Sequence, residues 1–190
     1  MSEEPRTLPQ LFERSVQAYA SRPALITRDQ RWSYQELSQQ VDACARSLIA
    51  MGVGKGTRVG LLMENLPEWI TFAFAATGIG ALLAPISTFS KRDDLAYQLK
   101  HSDVSQLFMS ERFLKNDYLA TLRKIAPELE KATPGALLAE ALPALRRVVV
   151  RGEGELPAGC QSWAEFEGAG AAVSKTILQG MRAEVDPEDD

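Results

Sequence analysis

The run WITFAFAATGIGALLAPISTFS, residues 69–90, holds 22 consecutive uncharged residues and constrains the fold more than any other stretch of the chain. A segment of that length either crosses a bilayer or lies inside a packed core. Gly78, Gly80 and Pro85 interrupt it, and Thr71, Thr77, Ser87 and Thr88 are scattered through it. The breaks divide the run into a buried helix ending near Ile79 and a short apolar strand over 81–86. No transmembrane segment is expected.

Its neighbours extend the pattern. Residues 58–63 (RVGLLM) are nearly continuously apolar rather than alternating, which predicts a strand buried on both faces and hence parallel pairing. Residues 104–109 read as a further strand. Asn65 to Glu68 is read as the cap of the helix after the first strand, and Ser90 to Asp93 as the cap of another helix with Leu95 and Leu99 facing inward. Strand, helix, strand, helix, strand at this spacing predicts an α/β fold of linked βαβ units, with a mainly parallel sheet covered by helices.

Upstream, Thr7 to Gln10 and Ser33 to Glu36 have capping-box spacing. They open a helix over 8–20 and a second one in which Leu37, Val41, Cys44 and Leu48 share a face until Gly52 ends it. Residues 24–28 and 31–33 form a small ribbon between them. Downstream, 110–144 is helical but broken by Pro127, Pro134, Gly135 and Pro143, and 147–150 (RVVV) returns as a strand. Ser162 opens a short helix, 174–181 is a further helical segment, and 184–190 (EVDPEDD) is an exposed acidic end.

Composition excludes several function classes. With 190 residues, 45% hydrophobic and 24% charged, 13 Gly and 10 Pro, the chain is neither disordered nor of low complexity. A net charge of −4 argues against a broad basic face, so no nucleic-acid partner is expected. The charge is uneven, about +2 over 1–150 and −6 over 151–190. Cys44 and Cys160 show no zinc-type spacing and no disulfide framework, which favours a cytoplasmic setting. The start, Met1 to Pro5, is acidic with no apolar run behind it, unlike an export signal or presequence.

The motifs do not assemble an active site. Gly52-Val-Gly-Lys-Gly-Thr-Arg58 resembles a phosphate loop in composition, but it leaves a helix and enters a strand. A phosphate loop runs the other way, so that helix N-terminal amides meet the anion. It reads as a C-cap turn with Lys55 in solvent. His101 is the only histidine, so neither a catalytic triad nor a multi-histidine metal site is available. Asp93 and Asp94 are adjacent on a helix, diverge, and read as first-turn charges. Lys91 and Arg92 present a basic pair on the same turn, a solvated face or a phosphate contact. Trp69, Phe72, Phe74 and Phe89 read as core aromatics before they read as an acyl pocket. No catalytic residue and no metal ligand is assigned.

The ordered run from Thr7 to Phe108 resembles the N-terminal region of the adenylate-forming superfamily, the AMP-binding acyl-CoA synthetases. The resemblance rests on LPQLFERSVQAYASRPALI, on RWSYQELSQQVDACARSLIAMGVGKGTRVGLLMENLPEWI and on TGIGALLAPISTFSKRDDLAYQLKHSDVSQLF, and continues in ALPALRRVVVRG, QSWAEF and EVDPEDD. It implies an N-terminal part of a larger large domain, with residues 1–111 as its best-matched core, 112–145 as a variable helical excursion and 146–190 leading towards a phosphate loop. It implies a parent ligase, in a fatty-acid type of metabolism, that uses ATP, Mg and coenzyme A to convert a carboxylic acid to an acyl-adenylate and then a thioester.

The family's phosphate loop, magnesium ligand, ribose contact and C-terminal lysine do not occur in residues 1–190. The chain alone is therefore expected to be inactive, to need no cofactor of its own, and to self-associate through uncovered surfaces. Asn65, Pro67, Gly80 and Pro85 match positions that shape the scaffold. Lys91 and Arg92 match a basic position that some relatives use near a coenzyme A phosphate, although Ser87 and Phe89 replace residues often seen there. A different class remains open beside this: a naturally short, non-catalytic binding or regulatory module with the same fold.

Overall fold

The computed structural model describes residues 6–189. The readings of the acidic start, residues 1–5, and of Asp190 lie outside the described residues. Along the chain run α1 (Leu8–Tyr19), β1 (Pro23–Ile26), β2 (Arg31–Ser33), α2 (Tyr34–Ala50), β3 (Arg58–Leu62), α3 (Pro67–Gly78) and β4 (Leu82–Pro85). Then come α4 (Arg92–His101), β5 (Gln106–Ser110), β6 (Arg112–Phe113), β7 (Asn116–Asp117), α5 (Tyr118–Ile125), β8 (Arg147–Arg151), β9 (Cys160–Ser162), α6 (Trp163–Ala169) and α7 (Lys175–Ala183). The chain divides into two compact units, one made of residues 1–56, 66–82 and 169–190, the other of 57–65 and 83–168.

The first unit is helical. Thr7 and Gln10 close a reciprocal capping box at the start of α1, and Ser33 and Glu36 do the same for α2. Two backbone N–H groups that a helix start leaves without partners are satisfied in each case. The Glu36 carboxyl is held below its ordinary pKa, first by the Ser33 backbone N–H and then by the Ser33 hydroxyl. Leu37, Val41 and Leu48 are buried along one face of α2, as the spacing predicts. Cys44 is half-buried. β1 and β2 form the expected antiparallel ribbon.

The helix α3 starts at Pro67 with Leu66, not Asn65, at its N-cap. Proline fixes its own φ and forces the preceding residue to extended backbone, so the boundary falls at Leu66 (φ −110°, ψ 161°). The 22-residue uncharged run divides where its glycines predict. Gly80 turns the chain with φ +75°, a left-handed conformation that favours glycine. Among the described residues no helix is long and apolar enough to cross a membrane.

The second unit is built on a five-stranded sheet in the order β4-β3-β5-β8-β9. The pairs β3·β5, β5·β8 and β8·β9 are parallel. Together with helices α4, α5 and α6 this is the mainly parallel α/β arrangement expected from the continuous apolar strands. On one face Leu62, Leu107, Met109, Val148 and Val150 pack with Leu95 and Leu99 of α4 and Leu122 of α5. Gly60 is required on that face, because a Cβ there would meet Val104 Cγ1 at 3.0 Å and Ile86 and Leu107 at 3.2 Å. On the other face Phe108 packs edge-on against Phe166 of α6 at 5.1 Å.

The stretch after β5 differs from the helical expectation. A two-strand hairpin, β6 with β7, comes first, closed by an Arg112–Asp117 ion pair at 2.8 Å. Leu114 in its turn has φ +53°, so the hairpin forms without the glycine that would have announced it. α5 follows, then a single 3-10 turn over Pro127–Glu130.

Candidate functional site

Numbered within the sheet alone, the strand order is 2-1-3-4-5. The order reverses between β3 and β5, and in doubly wound α/β folds ligands sit in the crevice outside the carboxyl ends of the strands at that switch point. Two polar groups meet there. Ser110, 2% exposed at the end of β5, donates its hydroxyl to Glu64 Oε2 at 2.6 Å, just beyond the end of β3. This charge-assisted bond joins the two central strands at their carboxyl ends. Next to it Glu111 accepts from the Gly154 backbone N–H at 3.0 Å. A Cβ on Gly152 would lie 2.5 Å from Glu111 Cβ, which favours glycine there, whereas at Gly154 the atom in the way is the movable carboxylate end of Glu111.

The loop from β4 to α4 forms another part of this rim. Its Thr88 carbonyl accepts from Tyr118 Oη at 2.7 Å and from Asn116 Nδ2 at 3.0 Å. The Phe89 N–H turns onto the Ser87 hydroxyl at 3.2 Å. Phe89 emerges 77% exposed, which corrects its reading as a core aromatic. Phe72 is buried, and Phe74 stacks on Phe12 at 4.4 Å.

Lys91 and Arg92 begin α4 at the end of this loop and both are exposed. The N-cap is Lys91 rather than Ser90. Its backbone N–H donates to Asp94 Oδ2 at 3.1 Å, while Ser90 Oγ accepts from Gln98 Nε2 at 3.0 Å. Lysine has no side-chain acceptor, so only the Asp94 half of a capping box forms. Arg92 Nε donates to Asp93 Oδ1 at 3.0 Å in an exposed pair. The first turn thus offers two cations for an anion, opposed by two carboxylates on the same turn. Glu64 and Ser110 went unremarked in the sequence; their signal was position, each at the carboxyl end of a strand that becomes central once the strand order is fixed.

Elsewhere the chemistry is muted. Burial pushes the Cys160 thiol up to about 12, which keeps it protonated and unreactive. In the helical unit a cavity of about 560 Å³ is lined in part by Phe12, Phe74, Asp42 and Arg182. Asp42 and Arg182 neutralise each other at 2.8 Å. Among the described residues no three His, Cys, Asp or Glu side chains are placed to hold a metal ion. The glycine-rich turn after α2 leads from a helix into β3 rather than from a strand into a helix. That turn therefore does not have the strand-to-helix course of a phosphate loop.

Sheet order and switch-point rim define a doubly wound α/β protein. Residues 12–180 match the family model described as AMP-binding enzyme, and the chain belongs to that adenylate-forming family. The Bacillus subtilis (strain 168) protein YngI is 29% identical over 184 residues, covering 96% of this chain and 33% of YngI. The human mitochondrial medium-chain acyl-CoA ligase ACSF2 is 31% identical over 146 residues, 76% of this chain and 24% of its own. The crystal structure of the anthranilate CoA ligase AuaEII in complex with anthranoyl-AMP matches with TM-score 0.66 and 26% identity, over 84% of this chain and 27% of that one. The chain spans about a quarter to a third of the length of these relatives.

Proposed function

We propose that these residues are the N-terminal part of an ATP-dependent acid–CoA ligase, which activates a carboxylic acid as its adenylate and passes the acyl group to coenzyme A. The observation that carries this reading is the match of residues 12–180 to the AMP-binding enzyme family, over only a quarter to a third of relatives that include acyl-CoA ligases. The parent uses ATP, magnesium and coenzyme A, and the 190 residues alone are inert. The chain contributes a sheet and its helices, and the groups that bind triphosphate and metal lie in the rest of the ligase.

Two measurements test this. ATP–pyrophosphate exchange by the isolated 190-residue chain, against a panel of medium-chain and aromatic acids, is expected to stay at the blank; sustained exchange with any acid overturns the assignment of inactivity. Reading the coding region beyond the codon for Asp190 is expected to show a Ser/Thr/Gly-rich loop, and a stop codon there supports the short non-catalytic module instead. A cytoplasmic location is part of the proposal and rests on Cys44 and Cys160 forming no disulfide framework; ACSF2 is a mitochondrial relative, and cell fractionation decides between the two compartments.

Lys91 and Arg92 are proposed to meet a phosphate of coenzyme A. In the ligase, Lys91→Ala with Arg92→Ala raises KM for coenzyme A about tenfold, the scale of losing charge-assisted contacts, and leaves ATP–pyrophosphate exchange unchanged. An unchanged KM removes the assignment.

A further inference from the structure

Lys55 is not the solvated turn residue that its glycine-rich surroundings suggest. Its Nζ donates to the Glu184 backbone carbonyl at 2.8 Å and pairs with Asp189 Oδ1, also at 2.8 Å. These partners lie 129 and 134 residues further along the chain, within the same helical unit. The turn that carries Lys55 is itself held on two sides. The Gly56 N–H donates to the Gly80 carbonyl at 2.9 Å. The Lys55 stem lies over Gly80, where a Cβ would come within 3.2 Å of Lys55 Cβ and Cγ. On the other side a Cβ on Gly54 would come to 3.0 Å from Met181 Cε of α7. The root of the Lys55 side chain is thus placed by the turn, while the side chain as a whole stays 44% exposed.

The receiving segment is equally organised. Asp189 acts twice: Oδ1 faces Lys55, while Oδ2 accepts from the Asp186 backbone N–H at 2.8 Å. Asp186 Oδ1 accepts from the Glu188 N–H at 2.9 Å, and the Asp189 N–H donates to the Asp186 carbonyl at 3.0 Å. Residues 186–189 therefore close a small hydrogen-bonded knot, and Lys55 ties that knot and the end of α7 to the turn. Four carboxylates crowd this segment, Glu184, Asp186, Glu188 and Asp189. Arg6 also reaches this segment, on Glu188 at 3.4 Å with both side chains well exposed. The titration behaviour agrees with the geometry. The hydrogen bond to Asp189 raises the Lys55 pKa, and the Asp189 pKa is lowered first by the Asp186 N–H and then by Lys55.

We propose that Lys55 is the pin of a salt-sensitive latch that fixes the acidic segment 184–189 against the glycine-rich turn of the helical unit. The segment's self-repulsion opposes a fixed course, and one ammonium with two acceptors supplies it. Because the pair is partly exposed, counter-ions compete with it, and its hold weakens as the Debye length contracts to about 3 Å at 1 M salt.

The test is amide hydrogen exchange of the 190-residue chain, followed residue by residue with NMR. In Lys55→Met the amides of Asp186, Glu188 and Asp189 are expected to exchange about fivefold faster than in the wild type, the scale of losing one exposed charged tie. Lys55→Arg keeps the charge and stays close to wild type. Salt at 1 M speeds exchange in the wild type by loosening the pair, whereas in Lys55→Met it screens only the segment's self-repulsion and does not speed exchange. Asp189→Asn guards against a folding defect: its amide oxygen still accepts from the Asp186 N–H, so only the tie to Lys55 is weakened, and α2 amides report the intact unit. Rates in Asp189→Asn and Lys55→Met equal to wild type, or a salt response as large in Lys55→Met as in wild type, overturn the latch.

Discussion

Phe108→Ala is expected to destabilise the sheet unit by about 3–5 kcal/mol, the range for removing a buried aromatic ring from a packed core. Phe108 is fully buried in the middle of β5, which lies between β3 and β8. It pairs across the sheet with Leu61 on one side and Val149 on the other, both themselves fully buried. Its ring meets Phe166 edge-on, and Phe166 in turn meets Trp163 at 5.0 Å with the planes 60° apart. Losing Phe108 removes the burial of its ring and one aromatic pair, and it leaves a void that β-strand backbone cannot collapse into. Trp163 lies one ring away, so its fluorescence reports the loss directly. The measurement is a urea titration on a chain with Trp32 and Trp69 changed to Phe, comparing midpoints at constant slope. A midpoint moved by less than the equivalent of about 1 kcal/mol would show that Phe108 is not a core residue.

Much of this fold is legible because its determinants are local. Ser33 with Glu36 and Ser162 with Glu165 close their capping boxes three residues apart, and 58–62 forms a central strand because its apolar residues run together. The chain loses legibility where the partner is distant or the turn is atypical. Nothing beside Lys55 in the sequence announces Asp189, and nothing beside Ser110 announces Glu64. Leu114 adopts a left-handed φ that sequence patterns reserve for glycine or asparagine. Phe89 ends an apolar run, yet a hydrogen-bonded turn through Ser87 leaves it in solvent. The candidate site suffers most, since Glu64, Ser110 and Glu111 become neighbours only once the strand order is fixed. The residues alone already read as lacking a complete active site; family resemblance added which groups of the chemistry to look for outside this stretch.

Gly170→Ala is expected to cost about 3 kcal/mol in the helical unit, the upper part of the range for overpacking, because the atoms in the way belong to a helix backbone. A Cβ on Gly170 would lie 2.6 Å from Ser47 Oγ, 2.9 Å from Ser47 N and 3.2 Å from the Ala43 carbonyl oxygen. Gly170 opens the 3-10 turn Gly170–Ala172, and Ser47 is 2% exposed on α2. The hydroxyl could rotate aside, but the backbone atoms move only with α2 itself. Alanine recovers up to about 1 kcal/mol through its lower conformational entropy in the unfolded chain, which offsets part of the clash without removing it. The double variant Ser47→Ala, Gly170→Ala separates the two sources. If the hydroxyl were the obstacle, the pair would be restored to the stability of Ser47→Ala alone; the backbone contact predicts that Gly170→Ala still costs most of its 3 kcal/mol in that background. The readout is again a urea midpoint, taken on a chain whose remaining tryptophans are Trp32 and Trp69, both of which belong to the helical unit.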